Sequence, residues 1–247
     1  MVAGASEGLG EAYAEALAKR GLDLILIARR EEKLRELSGK LTQKYDINIS
    51  SYAHDLADVK NLIDILKRSD HPISLLVYNA AFAPIGNFQD ISAEKLETVV
   101  HVNITAPLLL SKFVSSGMIK RKRGGIILMS SLAGTQGSPK LAAYAASKAF
   151  NAILAEGLWG ELRSQGVDVL ASVAGAIRTP GYTAAQQKSA PGTLNAKTVA
   201  ERTLKALGKK PVFVPGFTNK IARFLMGRLL PRKWAVSMMK KNTESLS

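Results

Sequence analysis

Short apolar runs recur along the chain at Leu22–Ile27, Ile49–Ala53, Leu75–Tyr78, Ile126–Met129, Val167–Val173 and Val212–Val214. Several are apolar at nearly every position, the pattern of parallel strands covered on both faces. Between them lie longer stretches with helical spacing, which predict helices at about 8–20, 31–44, 56–68, 92–120, 142–164 and 196–208. This alternation predicts an α/β fold, a doubly wound parallel sheet with helices on both faces. Right-handed crossovers then put ligand sites at the C-terminal ends of the strands. No internal repeat, low-complexity tract or linker divides the chain, so residues 1–247 read as one domain.

The two ends change this picture. Met1-Val2-Ala3 is too short for the central first strand of such a sheet, and a stub would leave its neighbours without backbone partners. The expectation is that upstream residues are missing. Residues 217–247 predict a basic amphipathic C-terminal helical extension. Ile221, Phe224, Leu225 and Leu229 follow helical spacing with Arg223 and Arg228 elsewhere. Pro231 suits the start of a second helix.

With 47% hydrophobic and 22% charged residues, the composition is that of an ordinary globular protein. The absence of cysteine excludes a disulfide framework, a thiolate metal site and a Cys nucleophile; no metal site is read. No apolar run is read as reaching the roughly 18–20 residues of a membrane span, and the N-terminus lacks a signal-peptide layout. A soluble, cytoplasmic protein is therefore expected. Of the net charge of +14, residues 188–247 carry +11. Three readings compete for this basic tail: helices packing on the body or on a partner subunit, an interfacial helix making peripheral contact with anionic lipid, and nucleic acid binding. The last is set aside, because no base-stacking aromatics interleave with the basic residues.

Candidate chemistry sits at four places. Gly4-Ala5-Ser6-Glu7-Gly8-Leu9-Gly10 precedes a predicted helix, where glycine permits a tight turn and close approach to a pyrophosphate at the helix N-terminus. Its spacing, G-x-x-x-G-x-G, differs from G-x-G-x-x-G, and an ordinary glycine turn is the plain alternative. At the end of the second strand, Ala28 stands where NAD binders usually have an acid, and Arg29 and Arg30 follow. Two guanidiniums there suit a 2′-phosphate, which favours NADP(H) over NAD(H); the alternative is a solvated pair beside Glu31 and Glu32. Tyr144 and Lys148 lie four apart on one helix face. An ammonium about 4 Å from the phenol would lower its pKa by at most roughly three units, toward the range where a general acid or base works best. Ser131 ends a strand thirteen residues earlier, placed to hold a substrate carbonyl or simply to make a turn.

Together these residues resemble the short-chain dehydrogenase/reductase family, of the type with a single Rossmann-like domain. The resemblance runs from Met1 to about Gly216. It implies that Gly4, Ser6, Gly8, Leu9 and Gly10 form the cofactor turn, that Asp55 contacts adenine, and that Asn79 and Ala80 line the cofactor. Ile177 and Thr179 would embrace the nicotinamide carboxamide. Asn103, Ser131, Tyr144 and Lys148 match the family's catalytic tetrad: Tyr passes the proton, Ser stabilises the substrate oxygen, Lys lowers the Tyr pKa and binds ribose, and Asn supports a water-linked relay. Ala3, Tyr78, Ala81 and Ala174 depart from the family pattern at scaffolding positions. Tyr182, in the variable segment after Pro180, is the ring expected to face substrate. The resemblance implies a homo-oligomer, dimer or tetramer, reducing a small hydrophobic carbonyl or oxidising the alcohol. The alternative is a non-catalytic NADP(H)-binding sensor or scaffold of the same fold.

Overall fold

The computed structural model describes residues 1–69, 71–179 and 192–243. Seven strands, β1 (Val2–Ala3), β2 (Leu24–Ala28), β3 (Ile49–Ala53), β4 (Leu75–Tyr78), β5 (Gly124–Ser131), β6 (Val167–Ala174) and β9 (Val212–Phe213), form one parallel sheet. Their order is β3-β2-β1-β4-β5-β6-β9. Two further short strands, β7 (Ile177–Arg178) and β8 (Leu194–Asn195), pair separately. Helices α1 (Gly8–Ala18), α2 (Glu31–Tyr45), α3 (Val59–Arg68), α4 (Ala93–Val100), α5 (Ala106–Lys120), α6 (Ala142–Leu162) and α7 (Ala196–Ala206) follow the predicted segments within a few residues. After β9 come α8 (Phe217–Phe224) and α9 (Arg232–Thr243).

The pleat explains why the strands read as unbroken apolar runs. In β5, Ile127 and Met129 join the core on the side of α1, α2 and α7, while Ile126 and Leu128 join the core on the side of α3, α5 and α6. Each fully buried Leu or Ile stabilises the fold by about 1.5–3 kcal/mol, so both faces must be apolar before helices cover them. The stub β1 is completely buried and pairs with β2 and β4, and the Met1 carbonyl accepts from the Val77 amide at 2.9 Å. The strand order reverses between β1 and β4, which opens a crevice there at the C-terminal strand ends.

Two expectations need correction. The predicted helix at 92–120 is interrupted by a π-turn at His101–Thr105. Pro107 has no N–H for the carbonyl four residues back, Asn103, so the regular ladder cannot continue. Asn151 Nδ2 donates to that carbonyl instead, at 3.2 Å. Within it, the 28 residues Ala93–Lys120 are long and apolar enough to cross a membrane by length and composition. Here they form a core helix, with Val99, Val102, Ala106, Leu110, Val114 and Met118 buried.

Candidate active site

At the end of β1 the backbone turns sharply, and the Gly4 and Ala5 amides both donate to the Ile27 carbonyl, at 2.8 and 3.1 Å. Gly4 has φ +82°, and a Cβ there would stand 2.7 Å from the Ala80 backbone. A Cβ on Gly10 would meet the Gly4 carbonyl oxygen at 1.9 Å. Two strand-to-helix connections therefore touch backbone to backbone, and Asn79 locks them by donating Nδ2 to the Gly4 carbonyl at 3.0 Å. Glu7, the residue capping α1, makes no side-chain capping bond, so the first-turn amides stay available to an anion.

The Glu7 carboxylate is held elsewhere. Arg30 reaches it at 2.8 Å and Lys33 at 3.0 Å, and the two cations hold its pKa below the usual carboxylate range. Arg30 also donates to Ser6 Oγ at 2.9 Å. The expected pair of free guanidiniums is thus one: Arg30 is engaged by the glycine-rich turn, whereas the exposed Arg29 makes no hydrogen bond or ion pair among the described residues. Asp55 caps a short 3₁₀ turn through the Ala57 amide at 3.0 Å, beside His54.

The reactive corner lies where β5 meets α6. Ser131 ends β5, and its Oγ accepts from the Ala133 amide at 3.2 Å; its hydroxyl lies near enough to the Tyr144 phenol to pull that pKa down. Ser130 Oγ donates to the Lys148 carbonyl at 2.7 Å and fixes α6 against the strand end. Lys148 is buried; its Nζ donates to the Met129 carbonyl at 3.0 Å and stands 5.5 Å from the Tyr144 ring centre. The expected lowering of the Tyr144 pKa is corrected by this geometry. Burial of the phenol raises its pKa, the nearby Ser131 hydroxyl only partly offsets this, and the Lys148 ammonium points at a carbonyl.

Burial pulls Lys148 itself down to about 8, against 10.5 for the free side chain. Below that pH the folded and unfolded chains both hold the proton, and the cost of burying the ammonium is constant. From about pH 8 to 10 the unfolded chain binds more protons, so stability rises with pH. In denaturant titrations of the cofactor-free protein over this window, the wild type should gain on Lys148→Met. Parallel curves would contradict the buried charge.

Asn103 is buried. Its amide accepts from the Phe82 N–H at 2.8 Å and donates to the Phe82 carbonyl at 2.8 Å and Ser147 Oγ at 3.0 Å. The side chain is a buried strut between the loop after β4 and α6, not a group presented to the cleft. Tyr78, at a departure from the family pattern, donates its hydroxyl to the Val102 carbonyl and ties β4 to the same π-turn.

A cleft of about 760 Å³ connects these corners. Gly4, Ser6, Gly8, Leu9, Arg29, Arg30, Asp55, Asn79, Ala80, Ser131, Tyr144, Lys148, Ile177 and Thr179 all line it; Gly10 and Asn103 do not. Tyr182 lies outside the described residues. Phe82, Ile85, Val102 and Leu141 also line the cleft and were missed by sequence reasoning. The available signal was the apolar run Ala80–Ile85 in a loop, where burial in a core gives no reason for it.

The sequence profile described as short chain dehydrogenase matches residues 1–190. The human protein named "Inactive hydroxysteroid dehydrogenase-like protein 1" is 35% identical over 173 residues, 68% of this chain and 52% of that protein. The chain thus matches about half the length of that relative. The 7beta-hydroxysteroid dehydrogenase of Clostridium sardiniense is 32% identical over 227 residues, covering 89% of this chain and 86% of that protein. A short-chain dehydrogenase from Sphingobium yanoikuyae, solved in complex with NADPH, superposes with a TM-score of 0.80 at 28% identity, covering 93% of this chain and 95% of that one.

Proposed function

This chain belongs to the short chain dehydrogenase family, and we propose that it transfers hydride between NADP(H) and the carbonyl or secondary alcohol of an apolar compound. The observation that carries this reading is the Ser131–Tyr144–Lys148 corner, set in a cleft whose other walls include Phe82, Ile85, Val102 and Leu141. The chain fits a dinucleotide: glycines 4 and 10 leave no room for a Cβ, the first turn of α1 is uncapped, and the cleft runs from Arg29 to Tyr144. Gly4, Gly8 and the α1 amides would hold its pyrophosphate, Asp55 its adenine end, and Lys148, Ile177 and Thr179 its nicotinamide end. When bound, that group supplies or accepts the hydride.

The remaining chemistry belongs to side chains. Ser131 donates a hydrogen bond to the substrate oxygen and fixes the carbonyl beside Tyr144. A phenol whose pKa is raised by burial keeps its proton at neutral pH, which suits it to protonate the oxygen as the carbonyl carbon is reduced. Lys148 holds charge close by and anchors β5 to α6 through Met129. Exposed Leu108 and Ile153 on α5 and α6 offer a face for a second copy, in keeping with a homo-oligomer.

The preference for NADP(H) rests on Arg29, and the solved relative bound to NADPH supports it. Arg29→Ala should weaken NADPH binding by about tenfold, the worth of one charge-assisted contact, with NADH binding nearly unchanged. Equal losses for both cofactors in fluorescence titrations would refute the clamp. NADPH oxidation over a panel of apolar ketones tests the activity. A second reading, a non-catalytic NADP(H)-binding protein, is favoured by the human relative whose name calls it inactive. Tight NADPH binding without turnover of any ketone would establish that reading.

A further inference from the structure

Away from the cleft, large apolar side chains face water mainly on the C-terminal helices. Phe217 is 77% exposed, Phe224 56%, Leu229 59% and Trp234 64%. On α8, Phe217, Ile221 and Phe224 are spaced i, i+4 and i+7, so they form one ridge. Phe217 is also the rim of a second cavity, of about 460 Å³, between α7, β9 and α8. Among the described residues, five cations line that cavity, Arg202, Lys205, Lys209, Lys210 and Lys220, and no acid does. From residue 202 to 243 the sequence contains no Asp or Glu.

These features have opposite demands. Five like charges around one concavity repel unless an anion joins them, and an exposed apolar ridge of this size marks an interface. A second copy meets only the second demand. A two-fold interface would lay this acid-free segment on itself and bring the cations together. An anionic bilayer meets both, with phosphate in the cavity, Phe217, Ile221 and Phe224 in the acyl boundary, and the amphipathic Trp234 ring at headgroup level. The segment is also fastened beside the reactive corner. Arg232 donates to the Thr135 carbonyl at 2.7 Å, in the turn that follows Ser131. Asn219 pins α8 through the Gly192 and Pro215 carbonyls, at 3.2 and 3.0 Å.

We propose that the cavity between α7, β9 and α8 recognises the phosphate headgroup of an anionic phospholipid and that the α8 ridge beside it enters the bilayer. This is independent of turnover and goes beyond the hydride transfer proposed above.

Vesicle flotation of the full chain tests it, with phosphatidylcholine alone and with phosphatidylserine added. Binding is expected only with phosphatidylserine and should fall with salt. Lys205→Gln/Lys209→Gln should reduce it roughly thirtyfold, the worth of two surface lysines. Phe217→Ser/Phe224→Ser should reduce binding and make what remains more salt-sensitive. Circular dichroism and NADPH binding report whether each variant is folded; the two change different features, so one folded variant suffices. Failure of the wild type to float with either vesicle overturns the proposal. So does wild-type binding by a folded variant, or a sedimenting dimer that Phe217→Ser/Phe224→Ser dissociates.

Discussion

Tyr144→Phe lowers the turnover of ketone reduction by about 10²–10⁴-fold while NADPH still binds, because the ring stays and only the proton donor is lost. The phenol lines the cleft beside Ser131, its pKa is raised by burial, and an ammonium stands 5.5 Å from the ring. Removing its oxygen leaves Ser131 to polarise the carbonyl, with no partner to protonate it. Stopped-flow measurement of NADPH oxidation and an equilibrium NADPH titration separate the two effects. A variant that turns over like the wild type would refute the assignment of Tyr144 as the acid. Equal loss of cofactor binding would show instead that the hydroxyl serves the site's architecture.

Gly10→Ala should destabilise the protein by about 3 kcal/mol and abolish NADPH binding. On helix propensity alone, alanine in α1 would be about 1 kcal/mol better than glycine. Sterics reverse the sign. The added Cβ would sit 1.9 Å from the Gly4 carbonyl oxygen and 3.0 Å from Ala5 Cα, and both are backbone atoms of the cofactor turn. The turn must open or the helix must move, and either displaces the amides that would meet a pyrophosphate. Gly39, on an exposed stretch of α2 with nothing within 4 Å of its missing Cβ, is the matched control. Gly39→Ala should gain up to about 1 kcal/mol. Denaturant midpoints for the two variants should therefore move in opposite directions, and a gain in both would mean that the contact at Gly10 relaxes without cost.

The strands and most helices were legible because their signal is local: an apolar run means strand burial on both faces, and a 3.6-residue period means a helix with one covered side. The Tyr144–Lys148 pair was legible for the same reason, since four residues along a helix is one turn. Its electrostatics were not. Spacing brings an ammonium near a ring, but only the packed interior shows that burial outweighs that charge at the hydroxyl and that Lys148 is turned to the Met129 carbonyl. Asn103 shows the same limit. It lies at the expected place in the chain, yet its amide is spent on Phe82 and Ser147, and Pro107 leaves its carbonyl to Asn151.

By itself the sequence determined the α/β alternation, the glycine-rich turn, the Ser-Tyr-Lys set and the basic character of the tail, all of which follow from residue type and short-range periodicity. Only the tertiary structure decided that Glu7 engages Arg30 and leaves Arg29 exposed, that loop side chains such as Phe82 and Leu141 wall the cleft, and that five cations share one cavity beside an unburied ridge. These contacts join residues far apart in the chain. Their strength depends on distance and burial, which strand pairing and core packing set and residue order does not record.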